Sequence, residues 1–272
     1  MEQIIFNIIE ALKFGFIQRA LIVGSLIAVC CGCLGVFLVL RRLSLIGEGL
    51  AHFSFATIGF GLVLNVYPLY VAIPLTIIFS LLLFYMAEKA NLYGDTAIGL
   101  ISSLGIAIGV MLASLSGGFN VDLFSYLFGD ILAISKFEAL TATILSVIII
   151  LIVILFYHDL FVITFDEEFA HVLGVKPKLM TKLLLVLTSI TVVIGIKVVG
   201  TMLISSLIIS PSVTALQIAK GFKTAILIST IIGVFSVISG IILSYMLDLP
   251  AGASIVILNF CFFIIAFSLK KR

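Results

Sequence analysis

Charge is scarce in this chain: Asp, Glu, Lys and Arg together make up 10% of its 272 residues. Soluble globular domains carry about a quarter of their residues charged, so that class is excluded. No Gly-rich loop ends in Gly-Lys-Ser or Gly-Lys-Thr, so the chain has no visible phosphate cradle of its own. Histidine-rich loops and multi-cysteine zinc-binding spacings are missing too. There are three histidines and no His-Glu-x-x-His set, which argues against an intramembrane metalloprotease. Of the four cysteines, Cys30, Cys31 and Cys33 fall in the first long apolar segment and Cys261 in the last. Small thiols in such segments pack against neighbouring helices more often than they ligate soft metals. A net charge of +2 is too small to demand an acidic partner, and nothing points to nucleic acid.

What remains is apolar. Hydrophobic residues make up 63% of the chain, and the mean hydropathy is +1.41. Segments of about 20 apolar residues recur, each long enough to cross the hydrocarbon core as a helix. The pattern predicts an all-α membrane protein, a polytopic bundle of eight or nine spans forming one domain over 1–272. The spans are expected near 19–40, 44–64, 68–87, 96–116, 137–157, 181–200, 202–219, 224–247 and 251–269. Gly195 and Gly200 on either side of Lys197 predict an interruption there, making 181–219 two helices or one broken helix plus another. Residues 1–18 read as an amphipathic interfacial helix, and 117–136 as a re-entrant or interfacial piece. With nine alternating spans, eleven Lys and Arg fall on one side and four on the other. That asymmetry predicts a cytoplasmic C-terminus and an external N-terminus.

Within this apolar background, Glu48 and His52 stand four residues apart, one helical turn, and so share a face. Ionisable groups inside a span are expensive and are kept mainly where they line a pathway or bind something. A carboxylate and an imidazole are ligands for a divalent transition metal; the alternative is a structural pair that fixes helix packing. The glycines flanking Glu48 let a backbone or an ion approach closely. Asp95 opens a span, where an N-cap is the simpler reading. Asp122 and Asp130, on the external segment, are placed to gather cations, and Asp248 marks a tight external turn. His158 and His171 belong to a solvated cytoplasmic loop, 158–180. Inside that loop, acidic residues at 166–168, apolar residues at 165, 169, 172 and 173, and Gly174 describe a short capped helix. An apolar face on such a helix suits docking onto a soluble partner; the alternative is a helix lying on its own membrane.

Arg41-Arg42-Leu43-Ser44-Leu45-Ile46-Gly47-Glu48-Gly49-Leu50-Ala51-His52 resembles the Arg-Arg-x-Ser-x-x-Gly-Asp-x-x-x-His signature of the membrane subunits of metal-ion ATP-binding-cassette importers, the zinc/manganese/iron permease family. Asp95-Thr96-Ala97-Ile98-Gly99 and Leu127-Phe128-Gly129-Asp130-Ile131-Leu132 are similar to two further family segments. Phe165-Asp166-Glu167-Glu168-Phe169-Ala170, with Leu173 and Gly174, resembles the family's coupling loop. Ile209-Ser210-Pro211-Ser212-Val213-Thr214-Ala215 and Asp248-Leu249-Pro250-Ala251-Gly252 complete the likeness. One departure is that Glu48 replaces the usual aspartate, moving the oxygens by about one methylene.

The resemblance implies a transport subunit, not an enzyme, with ATP hydrolysed on a separate cytoplasmic ATPase dimer. It implies a permease homodimer in the prokaryotic cell membrane and an extracellular or periplasmic metal-binding protein that delivers the ion. No cofactor is expected to be held permanently; the metal is cargo. Overall likeness to zinc members favours zinc, with manganese or iron as alternatives. Glu48 and His52 are then expected on the translocation path, with Asp95 a further candidate. Phe165 to Gly174 is expected to couple to the ATPase. A proton-coupled secondary transporter would want an internal repeat and its own coupling carboxylates near mid-membrane, and no clear repeat is present.

Overall fold

The computed structural model describes residues 13–90, 94–115, 126–129, 134–201 and 203–269, with the backbone alone at 87, 90, 94–97, 100, 101 and 113. Among them run α1 (Gly15–Leu40), α2 (Ile46–Val63), α3 (Pro68–Ala90), α4 (Gly94–Leu115) and α5 (Lys136–Leu155). Then come α6 (Tyr157–Phe165), α7 (Glu167–Val172), α8 (Pro177–Val199), α9 (Ile204–Ile218), α10 (Phe222–Leu247) and α11 (Ala251–Leu269). Each of the nine expected spans coincides with one of these helices. Among the described residues, seven are long and apolar enough to cross a membrane. α9, at 15 residues, is about 22 Å long and falls short of the roughly 30 Å hydrocarbon core.

α1 is the axis of the bundle, packed against α5, α8, α9 and α10. Ile27, Cys30, Cys31, Leu34, Phe37 and Leu38 are buried along it. The thiols serve packing: Cys30 donates to the Ser146 carbonyl at 3.5 Å and Cys33 meets the Thr230 hydroxyl at 3.7 Å. α1 begins at Gly15, so the first span takes in the last residues assigned to the interfacial segment. Residues 1–12 lie outside the described residues.

The interruption near Lys197 falls later than expected. α8 continues through Gly195 and Lys197 to Val199, and the chain turns at Gly200, whose φ is +91°. Gly195 stays helical because its small size serves packing: a Cβ there would lie 2.5 Å from the Ile204 side chain. Val198 sits beside Gly24 and Ile208 beside Gly35. α8 therefore runs antiparallel to α1, and α9 returns parallel to it: two separate helices.

The segment 126–129 seats on that turn. The Thr201 N–H donates to the Tyr126 carbonyl at 2.9 Å. Gly129 and Gly200 meet backbone to backbone, so that a Cβ on Gly200 would lie 2.5 Å from the Leu127 carbonyl oxygen. The Phe128 carbonyl also lies against Gly252 at the start of α11, so the segment packs on the ends of two spans. Of the segment 117–136, residues 126–129 pack on this turn; 116–125 and 130–133, with Asp122 and Asp130, lie outside the described residues.

A buried carboxylate and a largely buried ammonium complete this end. Lys197 Nζ is 3.5 Å from Glu138 Oε1 and 4.1 Å from the Tyr126 ring centre. Glu138 also accepts from the Ser135 N–H at 2.8 Å, while Ser135 Oγ caps α5 by accepting from the Glu138 N–H. Removing one partner of a buried pair strands the other charge. Lys197→Met is expected to destabilise the chain by about 3–5 kcal/mol, read as thermal melting in detergent. Lys197→Met/Glu138→Leu should recover most of that loss; equal melting of the single variant and the parent would show the pair to be energetically idle.

Candidate functional site

α1 ends in a tight turn that aims α2. The Leu43 N–H returns to the Leu38 carbonyl at 2.8 Å, Arg42 adopts φ +57°, and the Ile46 N–H donates to the Leu43 carbonyl. α2 then carries Glu48 in its first turn and His52 one turn on. His52 Nε2 and Glu48 Oε1 are 3.8 Å apart, with the side chains 12% and 50% exposed. That separation is too long for a hydrogen bond. It is close to the spacing of about 3.4 Å that two donors take when each binds one tetrahedral zinc at 2.0–2.1 Å. Among the described residues no third His, Cys, Asp or Glu gathers with them. Two donors leave coordination positions for water or for groups from another chain.

The backbone of α2 is held by α4, which lies parallel to it. Gly49 faces Ile98, Gly105 faces His52 and Phe53, and Gly59 faces Leu112. A Cβ at Gly105 would lie 2.8 Å from the His52 carbonyl carbon, so only glycine permits this approach. His52 is thereby fixed in depth by the neighbouring main chain. On the opposite side, Ser54 and Thr57 hydroxyls meet Thr76 of α3 at 3.3 and 3.5 Å, and Phe53 stacks on Phe79. Asp95 lies in the first turn of α4, one residue inside the helix and not at its cap; its side chain is outside the described residues. The parallel register puts it at the same end of the α2–α4 pair as Glu48.

The second sequence-predicted region forms two helices where one was expected. After α5, a single residue, Phe156, breaks the chain before α6, which occupies the first part of the 158–180 loop. Tyr157, Phe161 and Phe165 of α6 cluster around Phe222, which also meets Phe37 of α1 at 5.1 Å between ring centres. Such aromatic pairs contribute about 0.5–1.5 kcal/mol each beyond area burial, and here they anchor α6 to the bundle. α7 follows, with Asp166 as N-cap accepting from the Phe169 N–H at 2.9 Å. Gly174, at φ +79°, closes it as the Val175 N–H returns to the Ala170 carbonyl.

The side chains of this region divide by direction. Ala170 is fully buried, and Glu167 pairs with Arg41. Phe165, Phe169, Val172 and Leu173 stand exposed, with the carboxylate of Glu168 beside them. His158 and His171 are exposed, as expected. Glu138 was not singled out from the sequence, although Ser135-x-x-Glu138 ahead of an apolar run has the capping-box pattern.

A model of a known family, the ABC 3 transport family, matches residues 13–270. The chain belongs to the ABC 3 transport family. Relatives similar to this chain carry different metals in their names. The manganese import system permease protein ScaB of Streptococcus gordonii is 31% identical, over 95% of this chain and 93% of that one. The high-affinity zinc uptake system membrane protein ZnuB of Haemophilus influenzae is also 31% identical, over 95% and 99%. Among solved structures, PsaBC from Streptococcus pneumoniae in complex with Fab superposes with a TM-score of 0.88 at 31% identity, covering 97% of this chain and 95% of that one. As an ABC 3 member the chain is a multi-pass membrane permease of an ATP-binding-cassette transporter, a transport component. Equal identity to manganese and zinc relatives gives the expected likeness to zinc members no support over manganese.

Proposed function

We propose that this chain imports a divalent first-row transition metal across the bacterial cell membrane, with Glu48 and His52 handling the ion on its path. The observation that carries this reading is the half-exposed Glu48 carboxylate inside α2, one turn from His52 and 3.8 Å from its imidazole. A carboxylate facing lipid is costly, so this face meets water, cargo or another protein surface. A second copy of this chain across a two-fold axis fits that demand, because the same face on each copy then lines one interface. It also matches one coupling element per chain to two subunits of an ATPase dimer.

In this reading the end carrying Arg41, Lys178, Lys220 and the C-terminus is cytoplasmic, and the N-terminus is external. An extracellular or periplasmic metal-binding protein delivers the ion to the far end. On the cytoplasmic side, the exposed Phe165, Phe169, Val172 and Leu173 of the α6–α7 corner seat in a groove of the ATPase. Asp166, Ala170 and Gly174 shape that corner. Zinc remains the finer proposal, since mixed nitrogen and oxygen donors bind it more tightly than manganese. Manganese is the second reading, because a relative named for it is as similar as one named for zinc.

Glu48→Gln and His52→Ala are each expected to abolish accumulation of the metal in cells starved of it, with the complex still assembled. Elemental analysis of the cells reads both the loss and the identity of the metal; full accumulation in both variants would return Glu48 and His52 to a packing role. Phe169→Asp or Leu173→Asp should release the ATPase during purification, because a charge in an apolar contact is costly. Retained ATPase with unchanged transport would refute the docking surface. The native mass of the purified complex should contain two copies of this chain, and a single copy beside two ATPase subunits would overturn the dimer.

A further inference from the structure

The coupling element makes one connection that its exposed face does not explain. Glu167, in the first turn of α7, forms an ion pair with Arg41 at the end of α1. The Arg41 side chain is only 10% exposed whereas Glu167 is 58% exposed. One guanidinium nitrogen of Arg41, Nη1, is buried with no hydrogen-bond partner among the described residues. The guanidinium thus leans on Glu167 for compensation, and the pair is unlike a solvated surface bridge, whose two charges are individually dispensable.

Its position is mechanical. α7 packs on α6 and α8, while Arg41 begins the five-residue turn into α2. That turn is fixed by the return of Leu43 to Leu38 and of Ile46 to Leu43, so a displacement of Arg41 passes to the helix bearing Glu48 and His52. A cavity of about 380 Å³ separates these elements, lined by Arg41, Ile46, Glu88, Ile98, Glu167 and Lys178. That space lies between α7 and α8 on one side and the starts of α2 and α4 on the other. A second pair, Glu88 with Lys178, crosses the same cavity, but both its side chains are substantially exposed, and such pairs transmit little.

We propose that the Arg41–Glu167 pair is a strut that carries movement of α7 to α2, making Arg41 and Glu167 positioning residues for metal release. Glu167 then faces inward to this chain, while the apolar residues beside it face the ATPase. This rests on the docking reading above.

The test uses the complete complex with its ATPase in proteoliposomes, measuring metal uptake per ATP hydrolysed. Glu167→Gln should keep the ATPase bound and hydrolysing while uptake per ATP falls about tenfold, within the range of ordinary intersite coupling. Arg41→Gln/Glu167→Gln removes both charges; it should assemble with its ATPase like the parent but should not restore uptake per ATP. Arg41→Glu/Glu167→Arg should restore both. Unchanged uptake in Glu167→Gln overturns the strut, as does full recovery in the neutral double variant, which marks a merely structural pair. Release of the ATPase by Glu167→Gln also overturns it, by making Glu167 a docking residue. If the swapped pair does not assemble, Arg41→Lys decides: coupling nearer the parent than Arg41→Gln supports the strut, and equal loss refutes it. Retention of the ATPase by Phe169→Asp is a different failure, that of the docking surface itself.

Discussion

Close contact between main chains holds this bundle together. In lipid an apolar side chain gains little by moving from acyl tails to a protein interior, so helices associate through packing density and polar contacts. The α2–α4 pair shows the consequence: Gly49, Gly105 and Gly59 lie at three depths along one seam. The α8–α9 turn shows it again, where Gly129 and Gly200 touch through their backbones. The placing of the His52 imidazole at fixed depth one turn from the Glu48 carboxylate follows from the first of these contacts.

The polar groups are distributed on a complementary plan. Hydroxyls inside the spans mostly bond back to carbonyls one turn earlier, as Ser54 does to Leu50 and Thr188 to Leu184. They cost the fold little. The full charges instead collect at two levels: Arg41, Glu167, Glu88 and Lys178 at one end, and Lys197 with Glu138 at the other. Between them stand Glu48 and His52, the pair proposed above to handle the ion, with no third His, Cys, Asp or Glu gathered beside them among the described residues.

Much of the fold was legible because a span must be apolar throughout, and that constraint writes a run of about 20 residues into the sequence. The shared face of Glu48 and His52 was equally legible, since it needs only helical periodicity. The pairing of α2 with α4 was not, because a glycine in an apolar run does not reveal which neighbour approaches it. α6 escaped notice for a related reason: its boundary at Phe156 carries neither glycine nor proline, and the break is set by the aromatic cluster around Phe222. Glu138 and Lys197 are 59 positions apart by numbering, and such a partnership is a tertiary fact. At the 200-turn, Gly195 and Gly200 looked alike as letters, and both are crowded by neighbours; the left-handed φ of +91° at Gly200 separates the turning glycine from the packing one.

α9 has a further consequence. Too short to match the bilayer and covered along most of its length by α1, α10 and α11, it presents little surface to lipid. Changes in membrane thickness or acyl composition act through hydrophobic matching, and therefore press on α3, α5, α10 and α11, whose outer faces are rich in exposed Ile, Leu and Phe. The inner helices are insulated from that pressure. Hydrophobic mismatch is thus met first by the outer ring of helices, and reaches α1 and α9 only through their packing against it.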